Sequence, residues 1–412
     1  MRTLSNVIRL ARIGVVLWMS LAIQTTAAAS EQLHKVPRID NPARAVAAPE
    51  AFAWDVFMAT NWPALPGRRG VPDPSRPLGR HATSVWETWK ASTEIFLNNG
   101  AKPSGWDAAD ASTQLAGKTS LRLSDGVMLA SSADPSFVTG GLSDINGEPI
   151  YSEVRMNQIA FDHIVEHELY NVEGQLAYLA KNERLKMPFG SIEVKVSWRI
   201  LDPVKDRSIA HRYVQTKGVL QSNGGVTRNV KLGMTGMNIM VKVLDQWFWT
   251  AFEQVDNATQ TYDRDFPKVM LALWIDKRMQ AVNATRRASL AGTPWEHYRA
   301  NGAQIAFMGS DNAPSYLTNT QQETRILKTS SCIGCHAYSA LGKVDGLPTR
   351  LFPLRTAHND GTGTGYAGTP NPQELRNFGT LDFMWSFIEA SPKVPGNGTR
   401  FLMVDGQKPP KH

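Results

Sequence analysis

The chain has 412 residues, of which 42% are hydrophobic, and a formal charge of +7 at neutral pH. An apolar fraction of this size is typical of a globular protein with a substantial core, so the composition excludes a disordered chain. The basic residues are scattered along the sequence, which provides neither a basic stripe for a nucleic acid nor a polybasic patch for a membrane.

The first 29 residues have the pattern of a secretory signal. Three arginines accompany the apolar run from Ile13 to Ile23, and three alanines at 27–29 suit cleavage before Ser30. The run is about half the length of roughly 20 residues that crosses a bilayer. We therefore expect cleavage, a periplasmic location, a mature charge nearer +4 and no later spanning segment; an uncleaved anchor is the alternative.

Apolar spacing predicts helices in the first half of the chain. They cover Pro49–Ala59, Val85–Leu97 and Ser152–Asn182, with Gly174 as a break between two helices in the last segment. Residues 101–150 mix short apolar groups with Gly, Ser, Asp and Pro, and they allow no assignment.

From residue 190 the apolar period changes to two, which predicts strands. An antiparallel sheet over residues 190–256 is expected, with a hairpin turn at Asn223-Gly224-Gly225. Within it, Trp247 and Trp249 alternate with Phe248; burial of these rows against a helix layer is favoured over an aromatic platform or electron route. Beyond residue 315 we expect a helix over Thr318–Ser330, a Gly/Pro/Asn-rich loop over Lys343–Pro372 and a short helix over Leu381–Ala390.

The two cysteines of the chain lie in one motif. Cys332 and Cys335, followed by His336, form C-x-x-C-H. Two thiols at this spacing on one helical turn can form thioethers with the vinyl groups of haem, and the next residue then supplies an axial ligand to the iron. The motif therefore predicts one covalent haem c whose iron is held by His336. A redox dithiol and half of a zinc site are the alternatives.

The second axial ligand would separate an electron carrier from a catalyst, and the sequence leaves it open. Met384, Met403 and His358 are candidates, as is a vacant position. Met384 lies in an apolar run and Met403 lies beside Phe401 and Leu402, so burial in the core is the simpler interpretation of both methionines.

Two further motifs compete with the haem site. His163-Ile164-Val165-Glu166-His167 matches H-x-x-E-H, in which both histidines could hold zinc and Glu166 could act as a base, although no third ligand is identifiable. A solvated helix face is the simpler interpretation. Gly363–Gly368 matches G-x-G-x-x-G, but Pro370 and Pro372 exclude the helix that a dinucleotide site needs, which favours a flexible loop.

The region around the cysteine motif resembles the bacterial cytochrome c family. Four segments, Phe57–Pro63, Gly190–Lys195, Trp247–Asn257 and Ser330–Cys332, are similar to a group of larger exported mono-haem proteins of that family. The resemblance implies haem attachment through Cys332, Cys335 and His336, and it implies no particular activity.

The expected architecture is α+β. A signal peptide at 1–29 precedes a large domain of helices with an antiparallel sheet at 30–315, and a small, mostly helical cytochrome c-like segment follows at 316–412. Electron transfer through the haem to a partner protein is the expected function. The alternative is a peroxidase- or oxygenase-like haem oxidoreductase, in which the large domain holds a small organic substrate.

Overall fold

The computed structural model describes residues 35–79, 82–108, 120–125, 127–131, 141–221, 226–264, 275–353, 365–394 and 399–404. The expected signal at 1–29, the hairpin turn at 223–225 and His358 lie outside these ranges. Across the described ranges, no helix combines the length and the apolar character needed to cross a membrane.

Fifteen strands are found in the described part of the chain. In chain order they are β1 (Lys90–Ala91), β2 (Ser120–Leu123), β3 (Met128–Ser131), β4 (Leu142–Asp144), β5 (Tyr151–Met156), β6 (Ile192–Leu201), β7 (Gln215–Gln221), β8 (Thr227–Val241), β9 (Phe248–Gln254), β10 (Thr261–Asp263), β11 (Tyr298–Gln304), β12 (Ala340–Val344), β13 (Leu347–Pro353), β14 (Phe378–Thr380) and β15 (Arg400–Val404).

The α-helices of the same residues are mostly short. They are α1 (Pro42–Ala47), α2 (Pro49–Thr60), α3 (Ser92–Ile95), α4 (Gln158–Glu166), α5 (Val172–Lys181), α6 (Asn257–Gln260), α7 (Lys277–Ser289), α8 (Cys332–His336) and α9 (Pro372–Leu375). The helix predicted at 49–59 is present as α2.

Six antiparallel strands close into a barrel. The hydrogen-bonded order runs β5-β3-β2-β7-β8-β6, and β6 pairs again with β5. Closure satisfies the backbone groups that the edges of an open sheet would leave unpaired. Strand β8 is long enough to continue beyond the barrel, where it pairs with β9, and β9 pairs with β11.

Alternate side chains of the barrel strands fill its interior. Leu121, Trp198, Leu220 and Leu232 belong to this inward set and are all buried. The residues between them point outward, and Val219 on β7 is 39% exposed. On β6 the outward side chains are mostly polar, and the C-terminal segment covers Glu193 and Lys195 among them.

A helix layer packs on the extension of the sheet. The rings of Phe57 on α2 and Phe252 on β9 are stacked at 4.0 Å, and Trp54 meets Phe252 edge to face at 5.0 Å. Trp54 also donates from Nε1 to Asn283 of α7 at 2.9 Å. The expected burial against a helix layer holds for Phe248, which packs on Phe52 of α2, whereas Trp249 points from the opposite face of β9 to the cavity described below.

The predicted fold class was wrong in its two main parts. The large domain is organised by the closed barrel rather than by helices, and the C-terminal segment contains a four-stranded sheet in the order β14-β12-β13-β15. Only the five residues of α8 are helical at the cysteine motif, residues 318–330 contain a single 3-10 turn at Thr324–Ile326, and the helix expected at 381–390 is a 3-10 turn at Trp385–Glu389.

These errors have a common physical cause, because helical spacing is local and strand pairing is not. Strand β5 opens the segment predicted as helix over 152–182. Strand β1 interrupts the helix predicted over 85–97 by pairing with β5. Gly174 lies inside α5, where a Cβ would stand 1.9 Å from the carbonyl oxygen of Glu168, so close packing rather than a helix break requires glycine there.

The barrel interior can be tested with two successive residues of β7. Leu220→Ala should lower the free energy of unfolding by about 2–4 kcal/mol because it leaves a cavity inside the barrel. Val219→Ala, on the outer face, should cost under about 1 kcal/mol. Urea unfolding of the two variants measures both values, and a reversed order would contradict the assignment of the inner face.

Candidate functional site

The cysteine motif forms one helical turn, α8, that is fixed at its start. The hydroxyl of Ser331 accepts the backbone N–H of Gly334 at 3.2 Å and the side-chain amide of Gln304 at 2.8 Å. Gln304, on β11, also accepts the N–H of Ile333 at 3.0 Å. These bonds satisfy helix N–H groups that would otherwise be left without partners. The sheet therefore sets the position of α8.

Gly334 allows a second segment to pack against the motif. A Cβ at this position would lie 1.9 Å from the carbonyl oxygen of Tyr366, so no larger residue fits. A Cβ on Gly365 would lie 2.0 Å from the carbonyl oxygen of Thr329, and the Gly365 carbonyl accepts the N–H of Ser331 at 3.3 Å. The described part of the G-x-G-x-x-G segment, residues 365–368, thus lies against the motif, and residues 363 and 364 are outside the described ranges.

A cavity of about 360 Å³ lies between the outward face of the barrel strands and the C-terminal segment. Its volume falls within the range of small-molecule and cofactor sites. The described residues of its wall come from α3 and α8, from strands β1, β3, β5, β6, β8, β9 and β13, from the loop at 322–323 and from the turn at 385–389. The residues that matter most chemically are Met128, Glu193, Lys195, Asn238, Met240, Trp249, Gln322, Cys332, His336, Trp385 and Glu389.

His336 stands on the cavity wall, and its ring is held by a hydrogen bond through Nδ1. Its Nδ1 lies 2.7 Å from the carbonyl oxygen of Phe383. A carbonyl only accepts, so Nδ1 carries the hydrogen, and Nε2 is the nitrogen that can bind a metal. Trp249 meets the imidazole edge to face at 4.7 Å between ring centres, and Trp385 lies at 6.4 Å. The ring is therefore oriented on two sides by aromatic contacts and on a third by a hydrogen bond.

The two cysteines lie in different surroundings. Cys332 is on the cavity wall, with Sγ 3.5 Å from the carbonyl oxygen of Leu317. Cys335 is buried in a separate cluster with Tyr338 and Tyr366. Of the three predicted haem-binding residues, the structure thus brings Cys332 and His336 to one cavity, whereas Cys335 would have to turn towards that cavity from its cluster.

The methionines proposed as second axial ligand are not on the described wall of the cavity. Met384 is fully buried in the main core, and Met403, on β15, is 50% exposed. The interpretation of Met403 as a buried residue was wrong, because β15 is an edge strand. Met128 on β3 and Met240 on β8 do line the cavity. Nothing in their local sequence identifies these two methionines as candidate ligands. Strand pairing brings them to the same cavity as α8.

Two carboxyl groups on the cavity wall have pKa values that are raised to near neutral pH. Burial raises the pKa of Glu193 to about 7, although Ser386 donates a hydrogen bond to it; nearby Glu389 raises it further and Lys195 opposes the shift. Burial also raises the pKa of Glu389 to about 7, against a hydrogen bond from Ser92 and the charge of Lys195. Glu389 is itself exposed, but protein surrounds its carboxyl on the cavity wall closely enough to disfavour the charge.

In the sequence, Glu193 and Lys195 are recognisable only as polar residues that alternate with the apolar residues of a predicted strand. The pattern Ile192, Val194 and Val196 against Glu193, Lys195 and Ser197 did predict that the two charged residues share a face. The pattern gives no sign that the C-terminal segment covers this face. A strand pattern with a charged face normally predicts exposure to solvent.

The H-x-x-E-H motif lies on α4, away from the residues named on the cavity wall. The rings of His163 and His167 meet edge to face at 4.5 Å, and Tyr178 packs on His167 at 5.3 Å. Burial lowers the pKa of His163 to about 4, with the charge of His167 acting in the same direction. Within the described ranges, no group of three or more His, Cys, Asp or Glu residues is arranged to hold a metal ion.

Stability should depend on pH through Glu193. The folded protein keeps this carboxyl protonated up to about pH 7, whereas the unfolded chain releases the proton near its usual pKa of 4.5. Between these values the unfolded state binds fewer protons, so stability falls as pH rises. Glu193→Gln should therefore be more stable than the wild type at pH 8 by on the order of 1–3 kcal/mol, and this advantage should disappear near pH 4.5.

Urea unfolding at pH 4.5, 6 and 8 measures this difference, with Glu183→Gln as the exposed control. The control should follow the wild type at each pH. An advantage of Glu193→Gln that is equal at all three values would contradict the raised pKa.

Comparison with known proteins gives no further guide to the site. No family model matches the chain, no curated protein matches it, and no solved structure matches its fold. The geometry of α8, His336 and the cavity is therefore the basis for a functional interpretation.

Proposed function

We propose that the protein is an exported mono-haem c-type cytochrome that transfers single electrons. The observation that carries this proposal is the state of His336, which follows two cysteines on one helical turn, faces a cavity and donates Nδ1–H to a backbone carbonyl. A histidine that ligates a metal almost always donates its other ring N–H in this way, which fixes the tautomer and strengthens the ligand.

The donor set fits haem c better than the alternatives. Cys332 and Cys335 would supply the two thiols that attach the haem, and His336 Nε2 would bind its iron. When bound, the haem supplies a one-electron redox centre. The aromatic rings of Trp249 and Trp385 beside His336, with Cys332 on the same wall, offer the flat apolar surroundings that a porphyrin requires.

Haem attachment is the first test. The full chain, expressed for export together with machinery that attaches c-type haem, should gain the mass of one haem and show a c-type spectrum in alkaline pyridine. Cys332→Ser and Cys335→Ser should each leave one thioether, and the double variant should bind no haem covalently. The α-band position in pyridine distinguishes two thioethers from one and from none.

His336→Gln is the matched variant for the axial ligand, because it keeps both thiols. Haem attachment should persist in it while the ferric spectrum changes from that of the wild type. A wild-type chain that gains no haem, or a His336→Gln spectrum identical to the wild type, would contradict the proposal.

A haem-dependent oxidoreductase that acts on a small organic substrate is the second candidate. It is favoured by Glu193, Lys195 and Glu389, which line the same cavity and include two carboxyls able to exchange protons near neutral pH. A simple electron carrier has no need of such groups beside its cofactor. They could hold or move a proton next to a bound substrate.

Coordination of the iron separates the two candidates. For the carrier we expect a low-spin spectrum that cyanide leaves unchanged, in which case Met128 or Met240 on the cavity wall would be the second protein ligand of the iron. Met128→Leu and Met240→Leu then form a matched pair, of which one should become high-spin. A wild-type spectrum that is already high-spin and responds to cyanide would reject the carrier and favour the oxidoreductase.

A further inference from the structure

The carbonyl that holds His336 belongs to a strained turn. Asp382 and Phe383 both have a left-handed backbone, with φ of 48° and 68°, although neither is glycine. Two successive left-handed residues with side chains are costly and persist only where the surroundings impose them. The turn directs the Phe383 carbonyl to Nδ1 of His336 at 2.7 Å.

A buried ion pair fastens this turn to the barrel. Asp382 accepts Nζ of Lys242 on Oδ1 at 2.8 Å and the N–H of Met187 on Oδ2 at 2.7 Å. Lys242 follows the last residue of β8, and its ammonium also donates to the carbonyl of Asp245 at 2.7 Å and lies 5.4 Å from the centre of the Trp247 ring. Both charged side chains are more than nine-tenths buried.

The same turn is tied to the residues that follow the motif. Leu381 donates its N–H to the carbonyl of Ser339 at 2.8 Å, and the Ser339 hydroxyl donates to the carbonyl of Met384 at 2.8 Å. The end of β8 therefore holds the turn through Lys242, the loop before β6 holds it through Met187, and the chain beyond His336 holds it through Ser339. Phe383, between these attachments, has its carbonyl fixed against the imidazole.

We propose that Lys242 and Asp382 are positioning residues that set the tautomer and orientation of His336. By holding the left-handed turn, the ion pair keeps the Phe383 carbonyl on Nδ1 and so keeps Nε2 as the metal-binding nitrogen. The role of this positioning rests on the proposed function, in which His336 binds haem iron. The hydrogen bond itself can be measured on the full chain without haem.

The test compares three variants by nuclear magnetic resonance of the His336 ring nitrogens in the haem-free full-length chain. Asp382→Asn removes the charge but keeps a side chain that tolerates the left-handed region. Lys242→Met/Asp382→Asn removes both charges and so leaves no buried ion without a partner. Lys242→Arg keeps the ion pair. The wild type and Lys242→Arg should show hydrogen on Nδ1 only, whereas the first two variants should raise the Nε2–H tautomer by roughly tenfold.

Asp55→Asn is the matched control for a purely structural effect. It breaks another buried ion pair, with Arg44 and Arg286, that makes no contact with the turn. It should lower the melting temperature and leave the His336 tautomer unchanged. A tautomer that stays unchanged in Asp382→Asn and in the double variant, with only the melting temperature lowered, would overturn the positioning role.

The reduction potential of the haem-loaded protein provides a second readout. Loss of the Nδ1 hydrogen bond weakens the electron donation of His336 to ferric iron, so the potential should rise in Asp382→Asn and stay near the wild-type value in Asp55→Asn. If the wild type gains no haem, the proposed function fails while the tautomer measurement still decides the role of the ion pair. If haem is bound but neither tautomer nor potential responds, only the positioning role fails.

Discussion

Closure of the barrel places the charged outer face of β6 under the C-terminal segment. Val194 and Val196 of β6 point into the barrel, so Glu193 and Lys195, which alternate with them, must point outward. There they meet the segment that carries α8 and the turn at 385–389 rather than solvent. Charged groups cannot be packed tightly against an apolar surface without a high cost, and a lined cavity is the result.

The position of His336 depends on the same arrangement. Strand β11 holds the start of α8 through Gln304, and the end of β8 holds the turn at 382–383 through Lys242. The imidazole lies between these two attachments and beside Trp249 of β9. Its hydrogen-bonded tautomer is therefore a consequence of the sheet, and the strain at Asp382 and Phe383 is offset by the hydrogen bonds that tie the turn to Lys242, Met187 and Ser339.

The parts of the fold that could be predicted from the sequence are those whose cause is local. Helix α2 has a proline at its first position and a dense apolar sequence, and the alternation of β6 has a period of two. Strands β2 and β5 escaped prediction because their stability depends on β7 and β6, which lie far away in the chain, and β3 joins the barrel only by pairing with these two strands. A helix was expected over 318–330, yet the polar side chains of this segment bond to strands, as Asn319 does with β9 and Gln321 with β10.

The sequence alone determined the chemistry that is available at the motif, because the order Cys332, Cys335, His336 within five residues restricts where two thiols and an imidazole can lie. It also determined the shared face of Glu193 and Lys195, since successive side chains of a strand alternate. Only the tertiary structure decided what surrounds the imidazole. Met240, Lys242 and Phe383 reach the neighbourhood of α8 through strand pairing and a left-handed turn, and neither of these has a local signature in the chain.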